Sequence, residues 1–501
     1  MRVLLIGVDG LTLRIVKPLM AQGLLPHLRQ IYEEGVHALL RAPLPPAATT
    51  RWQAILTGLP PQRQGLTPGD GEYDRCLLET ITEPQSASRT LHDLGQEDKA
   101  LWSLLSAWGR RILVANVPAT YPPRPLNGIM LSGPPAPPFY AGLAYPPDFA
   151  SRLLEVIPNY QLTPTWRGLA AWLGEPLTEI RRLLRERSAL LDLLLREDWD
   201  CCLFVLHEID LLQHLYWDRV LDLHREVVAC YRLLDELLGR ALSVLRSSDL
   251  LILLSPYSFQ SIKRTFYLKE YLRRYTPNLP VQGTLAQQRV GWPAHRWKLR
   301  LLPHLPAQRR WRTWRLAAPP AGGGELPLAG SALLLLPTSS PLGGYAAIAL
   351  ADHLTEKQIE EFIADLQAQV DPATAYPAIG DLYRDETYPG SHVPASEPTL
   401  PGKPTRRLIL LAHDGIMLSS ATGQRQLWSA GEPCCGMHHP DGLLCLYGAG
   451  LQRSVLRPVS AYDIVPTVLA ALNIPVPAQL VGRPLISAGG APCKPVLDIV
   501  S

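Results

Sequence analysis

Residues 201–217 read Cys201-Cys-Leu-Phe-Val-Leu206-His207-Glu208-Ile-Asp210-Leu-Leu-Gln-His214-Leu-Tyr-Trp217. The first six are continuously apolar, the pattern of a strand buried on both faces of a parallel sheet. Polarity then arrives at once with His207, Glu208 and Asp210, where such a strand ends. Open α/β sheets bind their ligands beyond the carboxyl ends of their strands, so chemistry is expected here. A helix starting near Asp210 sets Asp210 and His214 one turn apart on one face. A carboxylate and an imidazole so placed suit a divalent cation, and zinc is the natural choice for mixed oxygen and nitrogen ligands. The spacing alone also fits a plainer reading, with Asp210 as a helix cap and His214 in solvent. His207 and Glu208 have two readings as well: partners that orient a ligand imidazole, or a polar strand end facing water, which the local pattern favours.

The chain has 501 residues and a formal net charge of +3, small for this length. That gives no electrostatic case for nucleic acid or an anionic membrane surface. Eight cysteines occur without a Cys-x-x-Cys, and two pairs are adjacent, Cys201-Cys202 and Cys434-Cys435. This excludes a zinc ribbon or thioredoxin-type motif, and Cys201 and Cys202 read as buried thiols. No apolar run approaches a membrane span. The N-terminus turns polar too early for a signal peptide and reads as a first strand, so a cytoplasmic α/β protein is expected.

Residues 2–8 form that strand, with Asp9-Gly10 at its carboxyl end, a pair that by itself reads as a turn. Residues 13–34 read as helical, punctuated by Pro18 and Pro26 and stopped by Gly35. An extended stretch, 36–44, runs into Pro45-Pro46-Ala47-Ala48-Thr49-Thr50-Arg51-Trp52 and an apolar segment to Thr57-Gly58. Thr49 or Thr50 is expected to cap the helix that begins there. A helix and strand are read over 99–115, long helical segments over 166–198, and another helix over 218–246. Residues 273–330 shift to Arg, Pro, Trp and His and include Trp292, Trp297, Trp311 and Trp314. Such a mixture can stack on a base or sugar, but reads better as a small lid packed by its own tryptophans. Extended runs follow at 332–337 and 345–350, a helix at 355–369, and a Pro-rich loop at 371–406. His413-Asp414 follows the apolar strand 407–412, and Asp414-Gly415 reads as a hairpin turn.

Taken together, Ile6-Gly-Val-Asp9-Gly10, the Pro-Pro-x-x-x-x-x-Trp segment ending at Thr57-Gly58, and Asp210-x-x-x-His214 resemble the alkaline phosphatase superfamily. More narrowly, they resemble its type I phosphodiesterase/nucleotide pyrophosphatase branch. Asn116-Val-Pro-Ala-Thr-Tyr-Pro-Pro123, Gln213-His-Leu-Tyr-Trp217, Gly436-Met-His-His-Pro-Asp-Gly442, Asp463-Ile-Val-Pro-Thr467 and Gly482-Arg483 agree with this. The resemblance covers residues 2 to about 486, in the branch's order. It implies an α/β fold with a central, mostly parallel sheet flanked by helices. The core is expected in two parts, 1–272 and 331–501, with 273–330 as an inserted cap. It also implies two metals at the strand ends. One set of ligands falls on Asp210, His214 and His438. The other needs Asp9, a nucleophilic Thr or Ser, and an Asp-His pair after a later strand.

The departures fall in that second set. The nucleophile position lands on Ala48, with Thr49 and Thr50 as weak substitutes because a one-residue shift re-aims the side chain. The strand 249–255 is followed by Pro256 and Tyr257 where the Asp-His pair belongs. Only Asp9 remains of the second site. The expectation is one divalent cation, zinc, and no second metal. The chain then reads as a non-catalytic or strongly impaired homologue with a phosphorylated or glycosidic small-molecule ligand. The alternative is an active single-zinc phosphodiesterase or phosphatase that uses a metal-bound hydroxide.

Overall fold

The structure is a computed structural model that describes residues 1–41, 43, 48–60, 99–118, 120–134, 136, 141–164, 176–276, 333–335, 344–384, 406–421, 423–431 and 436–486. In chain order its strands are β1 (Val3–Val8), β2 (Val36–Arg41), β3 (Ile112–Val117), β4 (Gly128–Ser132), β5 (Ala144–Tyr145), β6 (Cys201–Leu206), β7 (Leu250–Ser255), β8 (Ser258–Ser261), β9 (Arg264–Phe266) and β10 (Leu333–Leu335). They continue with β11 (Tyr345–Leu350), β12 (Ile379–Arg384), β13 (Arg406–Ala412), β14 (Ile416–Leu418), β15 (Trp428–Ala430), β16 (Gly436–His439), β17 (Asp441–Gly448), β18 (Ser454–Val455) and β19 (Val459–Ser460). The helices are α1 (Leu13–Ala21), α2 (Pro26–Glu34), α3 (Ala48–Thr57), α4 (Leu101–Ala107), α5 (Asp148–Val156), α6 (Pro176–Leu195), α7 (Glu208–Leu221), α8 (Arg225–Ser243), α9 (Leu268–Tyr275), α10 (Glu356–Gln367) and α11 (Ile464–Ala471).

The main sheet runs β18-β2-β17-β7-β1-β6-β3-β4-β5, with β19 also on β2. Its centre is parallel: β1 lies between β6 and β7, and β3 continues beyond β6. Alternation along each strand feeds two cores. Leu4, Ile6 and Val8 pack with Cys202, Phe204 and Leu206 on one side, against α1, α2, α6, α7 and α8. Val3, Leu5, Cys201, Leu203 and Val205 face the other, with Trp52 and the residues of α4 and α11. Every residue of β1, β6 and β7 is buried, as two-sided coverage of a parallel sheet requires. Cys201 and Cys202 are buried free thiols, and burial pushes Cys202 up to about 12, so both are inert packing groups.

The registers bring the strand ends together. Val8 lies opposite Leu206, and Gly7 opposite Leu254, so Asp9, His207 and the Ser255–Tyr257 turn share one edge. Strands β10 to β13 build a smaller sheet, β10-β11-β13-β12, with its own core around α9 and α10. Among the described residues, the stretch read as one second part, 331–501, contributes strands to four sheets, because β14 and β15 flank β9, β16 pairs with β8, and β17–β19 join the main sheet. Of the expected cap, residues through Tyr275 end α9, while 277–330, with its four tryptophans, lies outside the described residues. Cys434 and Cys435 lie outside them too. No described helix is long and apolar enough to cross a membrane.

Several local readings differ from the structure. The helix expected over 218–246 is interrupted, because Leu223 takes a left-handed φ of 49° between α7 and α8. The Pro-rich 371–406 holds a strand, β12, whose backbone pairs with β13 despite the loop-like composition around it. Asp414-Gly415 does turn, with Gly415 at φ 80°, but β13 and β14 do not form a hairpin. Lys263 and Arg264 donate to the Gly415 carbonyl instead, and β14 joins β9. Helix α3 starts at Ala48, so Thr49 and Thr50 belong to its first turn rather than its cap.

Candidate metal centre

Helix α7 begins directly after β6, so Asp210 and His214 stand one turn apart above the strand ends. His438 comes from β16, which pairs with β8 so that His438 lies opposite Phe259. Strand alternation sends the neighbouring His439 to the other side, where its Nε2 lies 3.4 Å from Asp414. His438 Nε2 lies 2.9 Å from Asp210 Oδ1 and 2.9 Å from His214 Nε2, and His214 Nε2 is 3.5 Å from Asp210 Oδ1. Each residue offers one donor atom, and these atoms lie within 4.8 Å of one another.

The three fit a metal in chemistry as well as position. One carboxylate and two imidazoles match a zinc ligand set with room for a further ligand. All three side chains are buried, and Asp210 Oδ2 has no hydrogen-bond partner among the described residues. An ionised carboxylate oxygen left bare in a protein interior is costly unless a cation meets it. His214 Nδ1 lies 3.3 Å from the Gly436 carbonyl, an acceptor, so Nδ1 carries the proton and Nε2 keeps its lone pair for a metal. Burial alone raises the Asp210 carboxyl, but His214 and the hydrogen bonds to both imidazoles outweigh it and hold it far below the carboxylate range. Burial pushes His438 down to about 4 against the pull of Asp210, so it is neutral near pH 7 and able to ligate.

Asp9 is not part of this cluster. Trp52 Nε1 donates to its Oδ1 at 2.9 Å, and His207 Nδ1 meets its Oδ2 at 2.7 Å. Trp52 reaches that far only because β1 carries Gly7: a Cβ there would lie 2.2 Å from the indole Cη2. His207 Nε2 faces the Asn116 carbonyl at 2.9 Å and must donate to it. Burial lowers the His207 imidazole, yet Asp9 outweighs it and raises the group above its ordinary value. The His207 imidazole and the Trp52 indole N–H thus occupy both oxygens of Asp9.

The reading of His207 and Glu208 as a strand end facing water is therefore overturned. Both are buried, because neighbouring elements supply partners that the local sequence does not reveal. Glu208 pairs with Arg187 Nε at 2.9 Å, and Arg187 donates onward to the carbonyls of Gln161 and Leu162. Tyr160, under the Arg187 guanidinium, donates to Asn116 Oδ1 at 2.8 Å. Asn116 itself sits at φ 59°, a left-handed position that Asn tolerates better than most residues.

Beyond β7, Ser255 Oγ accepts from the Leu11 amide at 3.0 Å and donates to the Tyr257 carbonyl at 2.7 Å, closing the turn. Pro256 offers no ligand atom there. Tyr257 is buried, its ring stacked on His438 with centroids 4.1 Å apart. Ala48 opens α3, and the side chains of Ala48, Thr49 and Thr50 lie outside the described residues. Arg51 and Trp52 belong to the site's surroundings although the sequence offered them only as motif landmarks. Their signal was the motif itself, which places the first turns of α3 beside β1.

No curated protein matches the chain. Among solved structures it is similar to phosphonoacetate hydrolase from Sinorhizobium meliloti 1021 in complexes with phosphonoacetate and phosphonoformate. Identity is 14% in each case, 94% of this chain and 95% of that chain are covered, and the TM-scores are 0.53 and 0.50. It is also similar to human ectonucleotide pyrophosphatase/phosphodiesterase 5, at 13% identity, 96% coverage of each chain and a TM-score of 0.44. The hydrolase likeness bears out the alkaline-phosphatase-like α/β fold. The type I phosphodiesterase/nucleotide pyrophosphatase family matches residues 3–433. From the first strand to the far side of the smaller sheet, this chain belongs to that metal-dependent family of the alkaline phosphatase superfamily.

Proposed function

We propose that this protein is a non-catalytic or strongly impaired member of its family. It keeps one cation half-site on Asp210, His214 and His438, with zinc as the cation, and binds a phosphorylated or glycosidic small molecule beside it. The observation that supports this is the asymmetry of the two halves. One presents three donor atoms and a bare carboxylate oxygen, while the other has its carboxylate saturated by Trp52 and His207. Pro256 and Tyr257 supply no replacement ligand, and Ala48 supplies no oxygen to attack phosphorus. A cation, when bound, contributes positive charge for an oxygen of the ligand. The chain's own residues do the rest: Asp210 and the two imidazoles hold it, and the Gly436 carbonyl fixes the His214 tautomer. The phosphonate ligands of the similar hydrolase support a small phosphorylated ligand here.

Loss of a nucleophile alone costs on the order of 10⁶ in turnover in a serine protease, and partners that act as a unit add little further loss. Turnover of generic phosphodiesters and phosphomonoesters with added zinc or manganese should therefore stay near background. Ala48→Thr alone should not revive it, because the new hydroxyl stays protonated without a second cation. Elemental analysis should find one zinc per chain. Robust zinc-dependent cleavage by the unmodified chain, abolished by His214→Ala, would overturn this reading.

A further inference from the structure

Arg51, in the first turn of α3, is fully buried. Its Nη1 donates to the Pro256 carbonyl at 3.4 Å, and the guanidinium carbon stands 5.1 Å from the centre of the Tyr257 ring. The other two donor atoms, Nε and Nη2, are buried with no hydrogen-bond partner among the described residues. Those N–H groups share one edge of the guanidinium plane, the edge that takes two oxygens of a carboxylate or phosphate side by side. Asp441 and Asp9 act on the guanidinium only through space, with no hydrogen bond to it among the described residues, and both Asp9 oxygens are already taken. A buried guanidinium with an open bidentate edge and no hydrogen-bonded counter-ion among the described residues is strongly unfavourable, and native proteins rarely leave such groups bare.

The open edge is not isolated. Asp210 Oδ2, Gln213 Oε1 and the Asn116 amide nitrogen are also buried without partners among the described residues. Asn116 is the next-to-last residue of β3, and Gln213 Nε2 donates to the Gly10 carbonyl just past β1. Unpartnered polar atoms thus gather at the same strand ends as the metal ligands, where this fold binds ligands.

We propose that the Nε/Nη2 edge of Arg51 is an oxyanion site that receives two oxygens of a phosphate or phosphonate group of the bound ligand. The inference rests on the reading of this cleft as a ligand-binding half-site and names the group that takes the anion. It also explains how the cleft handles anionic charge with a single metal: a guanidinium on α3 supplies the positive charge beside the Pro256–Tyr257 turn. Burial pushes Arg51 down only to about 10, so it remains charged at neutral pH.

The test is calorimetric titration of inorganic phosphate into the full chain, with zinc and separately with chelator. Wild-type protein is expected to bind phosphate even with chelator present. Arg51→Lys keeps the charge but lacks the fork, and should weaken phosphate by about tenfold or more. The two readings fail separately: wild type that binds no zinc yet binds phosphate through Arg51 refutes the metal half-site and leaves the oxyanion site standing. No phosphate binding by wild type overturns the proposal. So does equal affinity in folded Arg51→Lys, which leaves Arg51 as a structural cation, and so does binding that depends wholly on zinc and His214. Should Arg51→Lys fail to fold, a wild-type crystal grown with phosphate decides the point. An anion within hydrogen-bond reach of Nε and Nη2 sustains the proposal, and a bare edge overturns it.

Discussion

Removing one imidazole from the triad should abolish stabilisation by zinc while leaving the fold intact. The perturbation is His214→Ala, chosen because His438 still bonds to Asp210 at 2.9 Å when His214 is gone. A ligand that binds only the folded state stabilises by RT ln(1 + [L]/Kd), about 2.7 kcal/mol at a hundredfold excess over Kd. Unfolding entropy of about 2.1 cal/mol/K per residue gives about 1 kcal/mol/K for 501 residues. Zinc at that excess should then raise the wild-type Tm by about 3 °C. Mutating a mere outer-shell partner of a metal ligand costs 10–100-fold in affinity, so loss of a ligand should cost about 100-fold or more. At the same free zinc the variant gains about 0.4 kcal/mol or less, a shift under about half a degree. Differential scanning calorimetry with buffered zinc reads both shifts, each against its own chelated baseline. His439→Ala is the control and should keep the full shift, since that side chain faces Asp414. A full zinc shift in His214→Ala would refute the reasoning.

Trp52→Phe deletes the N–H that Asp9 Oδ1 accepts at 2.9 Å, and should cost about 1–3 kcal/mol in urea unfolding, as for a buried acceptor left without its donor. A change within experimental error would mean that Asp9 is held by His207 alone. Gly7→Ala places a Cβ 2.2 Å from the Trp52 ring, so it should destabilise by about 1–3 kcal/mol through overpacking, and by much less in a Trp52→Ala background. Additive losses in that double variant count against the contact. Asp249 accepts from the Arg2 amide and guanidinium and from the Arg246 amide, at 2.7–3.0 Å. Burial opposes ionisation, but the hydrogen bonds from the Arg2 guanidinium and the Arg246 and Arg2 amides hold this carboxyl below its ordinary 3.8. A depressed folded pKa gives stability that is complete above about pH 4 and lost as pH falls through the folded value. Asp249→Asn should therefore cost about 1–2 kcal/mol at pH 7, and the gap from wild type should close in acid. A gap that stays constant from pH 7 to pH 2 would contradict the assignment.

How much of this was legible in sequence follows from the range of the interactions. The largely apolar stretches 2–8, 201–206 and 249–255 read as buried strands, because burial on both faces needs no partner to be visible in the pattern. The abrupt polarity at 207–210 and the four-residue step from Asp210 to His214 placed two of the three residues of the candidate metal cluster, since a helical turn is a local fact. His438 came from the motif order alone. The strand ends decided otherwise. Local sequence made His207 and Glu208 a wetted edge, but α6 carries Arg187 across to Glu208, and β1 brings Asp9 to His207. Arg51 was a letter between two landmarks until the start of α3 set it under Tyr257 with one edge open. Periodicity tells which face of an element is buried. What meets that face is fixed by strand order, register and helix placement, contacts that here span tens to hundreds of residues and leave no local trace.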